Sequence, residues 1–291
     1  MFTAKVIEVK APAKVNLFLE VVGKRPDGYH DLESIVQAVS IYDEVSVSLD
    51  ASGASTLECN IKALETPQNL ALRAASAFKE AAGLSAGVHI RLEKVIPIQG
   101  GLGGGSSDAA AVLLALNDLA GLPLDAGRLL KVAAGLGSDV PFFIKGGTAL
   151  VTGRGEHVDT FRPGAFFHFV VFFPGFGIST AEVYKNLTLK LTENRRNAKV
   201  LRELLTGGNL PTAQECFFNR LEETAYELDR RLGQAKAAMQ ARVGDSRIVL
   251  CGSGASLFSA FVDYDTAYGA YRAVKGLRQG EVFLANGIRG E

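Results

Sequence analysis

Apolar and polar residues alternate through much of the first hundred positions, and a period of two predicts strands. Val15, Leu17, Leu19 and Val21 follow this period inside a largely apolar stretch from Ala4 to Lys24. The turn Arg25-Pro26-Asp27-Gly28 separates it from a second strand-like run through Ile41, after which Val45, Val47 and Leu49 alternate, then Leu57, Cys59 and Ile61. The period then changes. Leu70, Ala74, Ala77, Phe78 and Ala81 fall at helical spacing, so Pro67 is expected to open a helix that Gly83 closes. Val88, Ile90 and Leu92 form another strand pattern, which delivers the chain to a glycine-rich loop beginning at Pro97. Beyond it, Ala109 to Leu119 is apolar almost all round, the mark of a helix buried at the centre of its domain, and Asp125 is expected to cap a shorter helix through Ala134.

Further on, Ser138 and Asp139 precede Val140-Pro141-Phe142-Phe143, an apolar segment expected to be a strand. Gly146-Gly147 and Gly153-Arg154-Gly155-Glu156 punctuate a hairpin, and Phe166 to Phe173 reads as a strongly apolar strand. Helical stretches follow around Ala181 to Tyr184, Arg195 to Leu205 and Leu221 to Ala241. Strands at Arg247 to Leu250 and Leu257 to Val262 flank a tight turn, Cys251-Gly252-Ser253-Gly254-Ala255-Ser256. A helix through Tyr268 and Tyr271 and a strand from Val282 to Ala285 complete the pattern. Helices and strands mix without strict βαβ alternation, so the expected class is α+β, in two domains spanning 1–155 and 156–291.

The glycine loop carries the first chemical signal. Five of the six residues from Gly100 to Gly105 are glycine, and Ser106, Ser107 and Asp108 are good helix N-cap types. Glycines let a backbone curl its N–H groups inward, and a helix N-terminus attracts negative charge, so the stretch reads as a phosphate cradle. It is not a Walker loop, because no lysine lies between Pro97 and Ala111. Nor is it the dinucleotide fingerprint, since Gly101 and Gly103 put Ser106 where the third glycine belongs. Upstream, Lys14 and Asn16 share one face of an extended segment and aim two polar groups the same way. Taken alone, Asp139 is a turn or cap residue and Lys14 a strand cation.

Composition narrows the partners. The 291 residues are 47% hydrophobic, enough for a sizeable core, and 31 basic residues balance 31 acidic ones. Neutral net charge supplies no field to gather nucleic acid or an anionic membrane, so local geometry must hold any phosphate ligand. Cys59, Cys216 and Cys251 are scattered and form no CxxC pair, which points to a reducing cytoplasm and away from a zinc site or disulfide scaffold. No run reaches the roughly 18 apolar residues of a spanning helix, so the expectation is a cytoplasmic protein with no membrane or nucleic-acid partner.

Three stretches in order, Ala11-Pro12-Ala13-Lys14-Val15-Asn16-Leu17, the glycine-serine loop, and Gly252-Ser253-Gly254, resemble the GHMP kinases. That family includes galactokinase, homoserine kinase, mevalonate kinase and phosphomevalonate kinase. The resemblance implies a two-domain fold whose first domain is like the second domain of ribosomal protein S5 and whose second is ferredoxin-like. Arg25-Pro26-Asp27-Gly28-Tyr29-His30, the long loop Gly-Gly-Leu-Gly-Gly-Gly-Ser-Ser, and Gly137-Ser138-Asp139-Val140-Pro141 resemble the branch that phosphorylates a cytidine-diphosphate-linked methylerythritol. It implies ATP and Mg²⁺ as cofactors, that small molecule as substrate, and a monomer or homodimer. By the same resemblance Lys14 and Asp139 are the catalytic pair. Pro97, Gly100, Gly101, Leu102, Gly103, Gly104, Gly105, Ser106 and Ser107 would hold the ATP phosphates, with Asn69 on the adenine side. Ser106 or Ser107 would touch Mg²⁺ or a phosphate oxygen. Asn16, Tyr29, His30, Tyr184, Gly252 and Ser253 would bind the substrate, Tyr29 stacking on the cytosine, His30 bonding to it and Tyr184 covering its other face. The rivals are another GHMP kinase, of mevalonate, homoserine or sugar type, and an RNA-binding module.

Overall fold

A computed structural model describes residues 5–188 and 197–290. Its backbone contacts divide into two compact units, taking the described residues of each range. The first comprises Met1–Ala13, Ile41–Ile96 and Gly103–Lys145, and the second Lys14–Ser40, Pro97–Leu102 and Gly146–Glu291. Two long strands, β1 (Val6–Lys24) and β2 (His30–Asp50), each contribute a segment to both units. The expected second and third strand runs are therefore one continuous strand, β2.

In the first unit, β3 (Ser55–Cys59) pairs in parallel with β4 (Gly87–Glu93), and β4 pairs antiparallel with β2 from Glu44 to Asp50. A parallel pair needs a crossover, which α1 (Leu70–Ala82) supplies. Ala71, Ala74, Ala75 and Phe78 face inward on α1, and complete burial of Phe78 is worth about 1.5–3 kcal/mol. The cap of α1 is Asn69, whose side chain accepts from Ala71 N, so Pro67 precedes the helix instead of opening it; Gly83 closes it in the left-handed conformation as expected. A short 3₁₀ helix, Lys62–Leu64, follows β3. The apolar helix α2 (Gly104–Leu119) packs against α1, with α3 (Ala126–Leu136), capped by Asp125, and α4 (Val140–Lys145) beside it. Two expectations are corrected here. The central helix starts five residues before Ala109, and the segment after Asp139 is a helix, in which Pro141 sits within the first turn, where its missing N–H costs nothing.

The second unit pairs β5 (Thr148–Gly153) with β6 (His157–Phe161) in the expected hairpin, and β5 joins β2 in register Leu32↔Gly153 to Gln37↔Thr148. A four-stranded antiparallel sheet is ordered β11-β7-β10-β9, with β7 His168–Phe173, β9 Ile248–Leu250, β10 Leu257–Phe261 and β11 Glu281–Asn286. Helices α5 (Thr180–Asn186), α6 (Ala198–Thr206), α7 (Leu210–Glu215), α8 (Glu222–Leu228), α9 (Arg230–Val243) and α10 (Tyr264–Lys275) complete it, and the two-residue strand β8 (Phe218–Asn219) pairs in parallel with β1. Val170, Phe172, Leu232, Met239, Leu250, Leu257 and Val274 belong to its apolar core. The expected helix from Leu221 to Ala241 is broken at Asp229, whose side chain caps α9, and α7 was not expected. Ala4 and Arg195, the starts of two expected elements, lie outside the described residues. No helix among the described residues is long and apolar enough to cross a membrane.

Candidate active site

The strand period that aligned Lys14 with Asn16 is realised in β1. Both side chains are buried at 4% exposure, and Lys14 Nζ donates to Asn16 Oδ1 at 2.7 Å. Asn16 Oδ1 also accepts from Gly252 N at 3.0 Å, while its Nδ2 donates to Ser34 Oγ at 3.0 Å. Ser34 Oγ in turn donates to Phe18 O at 2.6 Å. Asn219 Nδ2 holds the carbonyls of Leu250 and Gly252 at 2.8 and 2.7 Å. A buried ammonium is thus seated on a side-chain amide beside a glycine backbone. A side chain at Gly252 would put its Cβ 3.3 Å from Lys14 Nζ, and its φ of +54° also favours glycine.

The start of the glycine loop is fastened to the same place. Lys14 N donates to Leu102 O at 3.0 Å, and Ser256 N to Gly100 O at 3.0 Å. Gly101, at φ +77°, lies so close to Cys251 that a Cβ would fall 2.0 Å from its carbonyl oxygen. Burial pushes the Cys251 thiol up to about 12, so it is an inert neighbour and no nucleophile. Ser253, 6% exposed, shares a 2.7 Å hydrogen bond with Thr180, the first residue of α5.

On that helix Tyr184 meets His30, their rings 5.3 Å apart and 29° from parallel. Burial and the nearby Lys24 cation hold the His30 imidazole below its ordinary value. Tyr29 is 54% exposed, with the Arg154 guanidinium 4.9 Å from its ring centroid. Asp27 fixes the preceding turn: its Oδ1 accepts from Tyr29 N at 3.1 Å and Arg25 Nε donates to both of its oxygens.

In the first unit, α2 begins immediately after Gly103, which is its N-cap at φ +74° with no side-chain cap bond. Ser106, Ser107 and Asp108 are consequently residues of the helix and not caps, a correction to the sequence reading. Helix geometry leaves the N–H groups of Gly104, Gly105 and Ser106 without intrahelical acceptors, aimed out of the N-terminus. Ser107 Oγ and Asp108 Oδ1 are buried and have no hydrogen-bond partner among the described residues. Burial raises Asp108 to about 7 against the attraction of Lys94, and Asp43 adds to the rise. Asp139 sits in the turn before α4 and its carbonyl accepts from Phe143 N at 3.4 Å. Two residues earlier, a Cβ on Gly137 would lie 3.9 Å from Ser106 Oγ, which sets that turn against the start of α2. Asn69 Nδ2 donates to Leu64 O at 2.9 Å in addition to capping α1.

Ser34, Asn219, Thr180 and Arg154 were not singled out in the sequence. Ser34 and Asn219 carry only a weak signal, a polar residue next to apolar strand positions. No group of three or more His, Cys, Asp or Glu among the described residues could hold a metal ion.

The chain is similar to known proteins over most of its length. The family described as GHMP kinases N terminal domain matches residues 69–147. A 4-diphosphocytidyl-2-C-methyl-D-erythritol kinase of Pelotomaculum thermopropionicum is 37% identical over 90% of this chain and 91% of its own. A protein of the same name from Syntrophotalea carbinolica is 40% identical over 89% and 91%. A solved 4-(cytidine 5'-diphospho)-2C-methyl-D-erythritol kinase is 36% identical, with a TM-score of 0.82 over 97% of this chain and 100% of its own. A homoserine kinase from Cytophaga hutchinsonii, 18% identical over 100% of this chain and 96% of its own, shares the fold at a TM-score of 0.78.

Proposed function

Because the chain belongs to the 4-diphosphocytidyl-2-C-methyl-D-erythritol kinases of the GHMP family, we propose that it transfers the terminal phosphoryl group of ATP to the 2-hydroxyl of that cytidyl compound, in the non-mevalonate isoprenoid pathway. The observation that carries this reading is the Lys14 ammonium, buried and held by Asn16 beside the Gly252 backbone, the residue that the resemblance implies as the catalytic lysine.

Phosphoryl transfer asks the protein mainly to position the reactants and to stabilise charge. The N–H groups at the start of α2 supply donors to the phosphates, and the glycines of the loop keep Cβ atoms out of their way. Lys14 stabilises the alkoxide as the hydroxyl proton leaves. Asp139 accepts that proton and orients the hydroxyl, orientation being the larger part since loose transition states need little nucleophile activation. Tyr29 stacks on the cytosine, neutral His30 bonds to the base edge, and Tyr184 covers the other face. Pro97 and Asn69 serve the ATP side, and Ser253 helps shape the substrate pocket with Gly252.

Mg²⁺ fits the unpartnered, buried Ser107 hydroxyl, because this ion takes oxygen ligands and usually only one or two from protein. Ser106 or Ser107 would hold it, and the ion would neutralise phosphate charge. The cytoplasmic location remains part of the proposal, in keeping with three free cysteines.

Steady-state kinetics on the cytidyl compound, mevalonate, homoserine and galactose test the reading. The expected result is phosphorylation of the cytidyl compound with far higher kcat/KM than the others. Equal or better turnover of any of the other three overturns it. Asp139→Asn is expected to cut kcat strongly with little change in ATP affinity.

A further inference from the structure

Lys94, Asp43 and Asp108 form an ionic cluster sealed inside the first unit, their side chains 4%, 0% and 3% exposed. Lys94 follows β4 directly, and its Nζ is shared between Asp43 Oδ2, on β2, and Asp108 Oδ2, on α2, the latter at 2.7 Å. The other oxygen of Asp43 accepts the backbone N–H groups of Val95 and Ile96 at 2.6 and 2.8 Å. Those residues lead directly into Pro97 and the glycine loop. The ammonium also lies against the first residue of α2, since a Cβ on Gly104 would be 3.1 Å from Nζ and 3.0 Å from Ile96 Cγ2. One cluster therefore fixes both the strand end that enters the loop and the helix start that leaves it.

Stability alone does not call for this arrangement. Apolar residues of similar volume commonly replace buried ion pairs without loss, and a cation beside a helix N-terminus opposes the dipole. What the cluster supplies is a fixed geometry at the place where N–H groups must converge.

We propose that Asp43, Lys94 and Asp108 are positioning residues for the nucleotide, setting the N-terminus of α2 so that its free N–H groups meet the polyphosphate. This rests on reading α2 as the ATP cradle. The three groups act through the backbone of Val95, Ile96 and Gly104, and nothing requires them to touch the ligand.

The test uses the full-length enzyme. ATP affinity is measured by titration calorimetry, and kcat and both KM values by steady-state kinetics, for wild type, Lys94→Met, Asp108→Asn and Lys94→Met/Asp108→Leu. Lys94→Met is expected to raise the ATP Kd and KM on the order of tenfold, with the cytidyl KM changed by less than about twofold. The double variant is expected to recover Tm while ATP affinity stays weak. Recovery of affinity together with Tm would reduce the cluster to a structural role, and wild-type ATP Kd in the folded variants would overturn the proposal. Asp108→Asn keeps the shape and a weaker, neutral acceptor for Lys94 and is expected to raise the ATP Kd by about threefold; if Lys94→Met does not fold, a Kd identical to wild type here overturns the proposal. Wild type that binds ATP without phosphorylating the cytidyl compound refutes the assigned reaction alone, leaving the calorimetry to judge the cluster. Wild type that binds no adenine nucleotide refutes both.

Discussion

The imidazole of His30 stacks on the phenol of Tyr184, with 5.3 Å between ring centroids and 29° between planes. One residue from the first strand hairpin and one from α5 thereby define an aromatic wall, although 154 positions separate them in the chain, the difference between 184 and 30. Burial holds this imidazole below its ordinary value of 6.5, with Lys24 adding to the effect.

The sign of the pH dependence follows. Below pH 6.5 the unfolded chain takes up the His30 proton before the folded one does, so stability declines as pH falls from 6.5 until the folded imidazole also titrates. His30→Gln is expected to remove that part of the slope in Tm measured from about pH 7.5 to about pH 5. An identical slope in the variant would mean that His30 titrates normally.

The sheet segments and the apolar helix were legible in the sequence because burial on one face or on all sides writes a period into the residues. Where the reading failed, a local preference outweighed it. Gly104, Gly105 and the serines looked like loop and cap, yet they form the first turn of α2, a helix otherwise apolar enough to be held by packing. Phe142 and Phe143 suggested a strand, whereas Pro141 at the front of the segment was the better signal. Asn209-Leu210-Pro211 carries a cap and an early proline, the local signals of α7. In the site, the Lys14 and Asn16 alignment came from strand period alone. Ser34, Asn219 and Gly252, which hold Asn16 or its neighbours, lie 18 to 236 residues away from their partners, and no local pattern encodes such pairings.

Asn16 is committed on three sides, accepting from Lys14 and Gly252 and donating to Ser34. Asn16→Leu therefore leaves buried polar groups without this partner, at a cost of about 1–3 kcal/mol each. The expected outcome is a Tm several degrees lower together with a fall in kcat larger than the rise in cytidyl KM, because the ammonium of Lys14 loses its seat. Lys14→Met is expected to reduce kcat by about 10²–10³ with a smaller change in Tm. Thermal unfolding and steady-state kinetics on both variants check the contrast.

Two glycine substitutions should act in opposite directions. Gly101→Ala forces a left-handed φ on alanine, at about 1–2 kcal/mol, and drives Cβ into the Cys251 carbonyl, adding about 1–3 kcal/mol for the displaced backbone. Gly135 lies inside α3 with nothing within 4 Å of a built Cβ, so Gly135→Ala should stabilise by up to about 1 kcal/mol. Urea unfolding of both variants measures the difference. A Gly101→Ala enzyme as stable as wild type would show that the loop can move away from the 251–256 turn.

Glu20 and Arg220 are joined by a two-pronged pair, Nε to Oε1 at 2.7 Å and Nη2 to Oε2 at 2.8 Å. The carboxylate side chain is only 4% exposed and the guanidinium 24%, stacked 4.8 Å from the Phe218 ring centroid. Arg220 N also donates to Leu19 O at 2.8 Å, so the pair fastens the segment after β8 to β1, the strand that carries Lys14 and Asn16. Arg220→Met keeps most of the stem that packs on Phe218 but leaves Glu20 with Val21 N at 3.1 Å as its neighbouring donor. Stranding a nearly buried carboxylate is costly, and the partial exposure of the arginine reduces the penalty to about 1–3 kcal/mol. Glu20→Gln/Arg220→Met removes the stranded charge and should recover most of that loss. Urea unfolding of the single and double variants gives the coupling directly, and a double variant no more stable than Arg220→Met would show that packing on Phe218, and not charge pairing, holds this corner of the second unit.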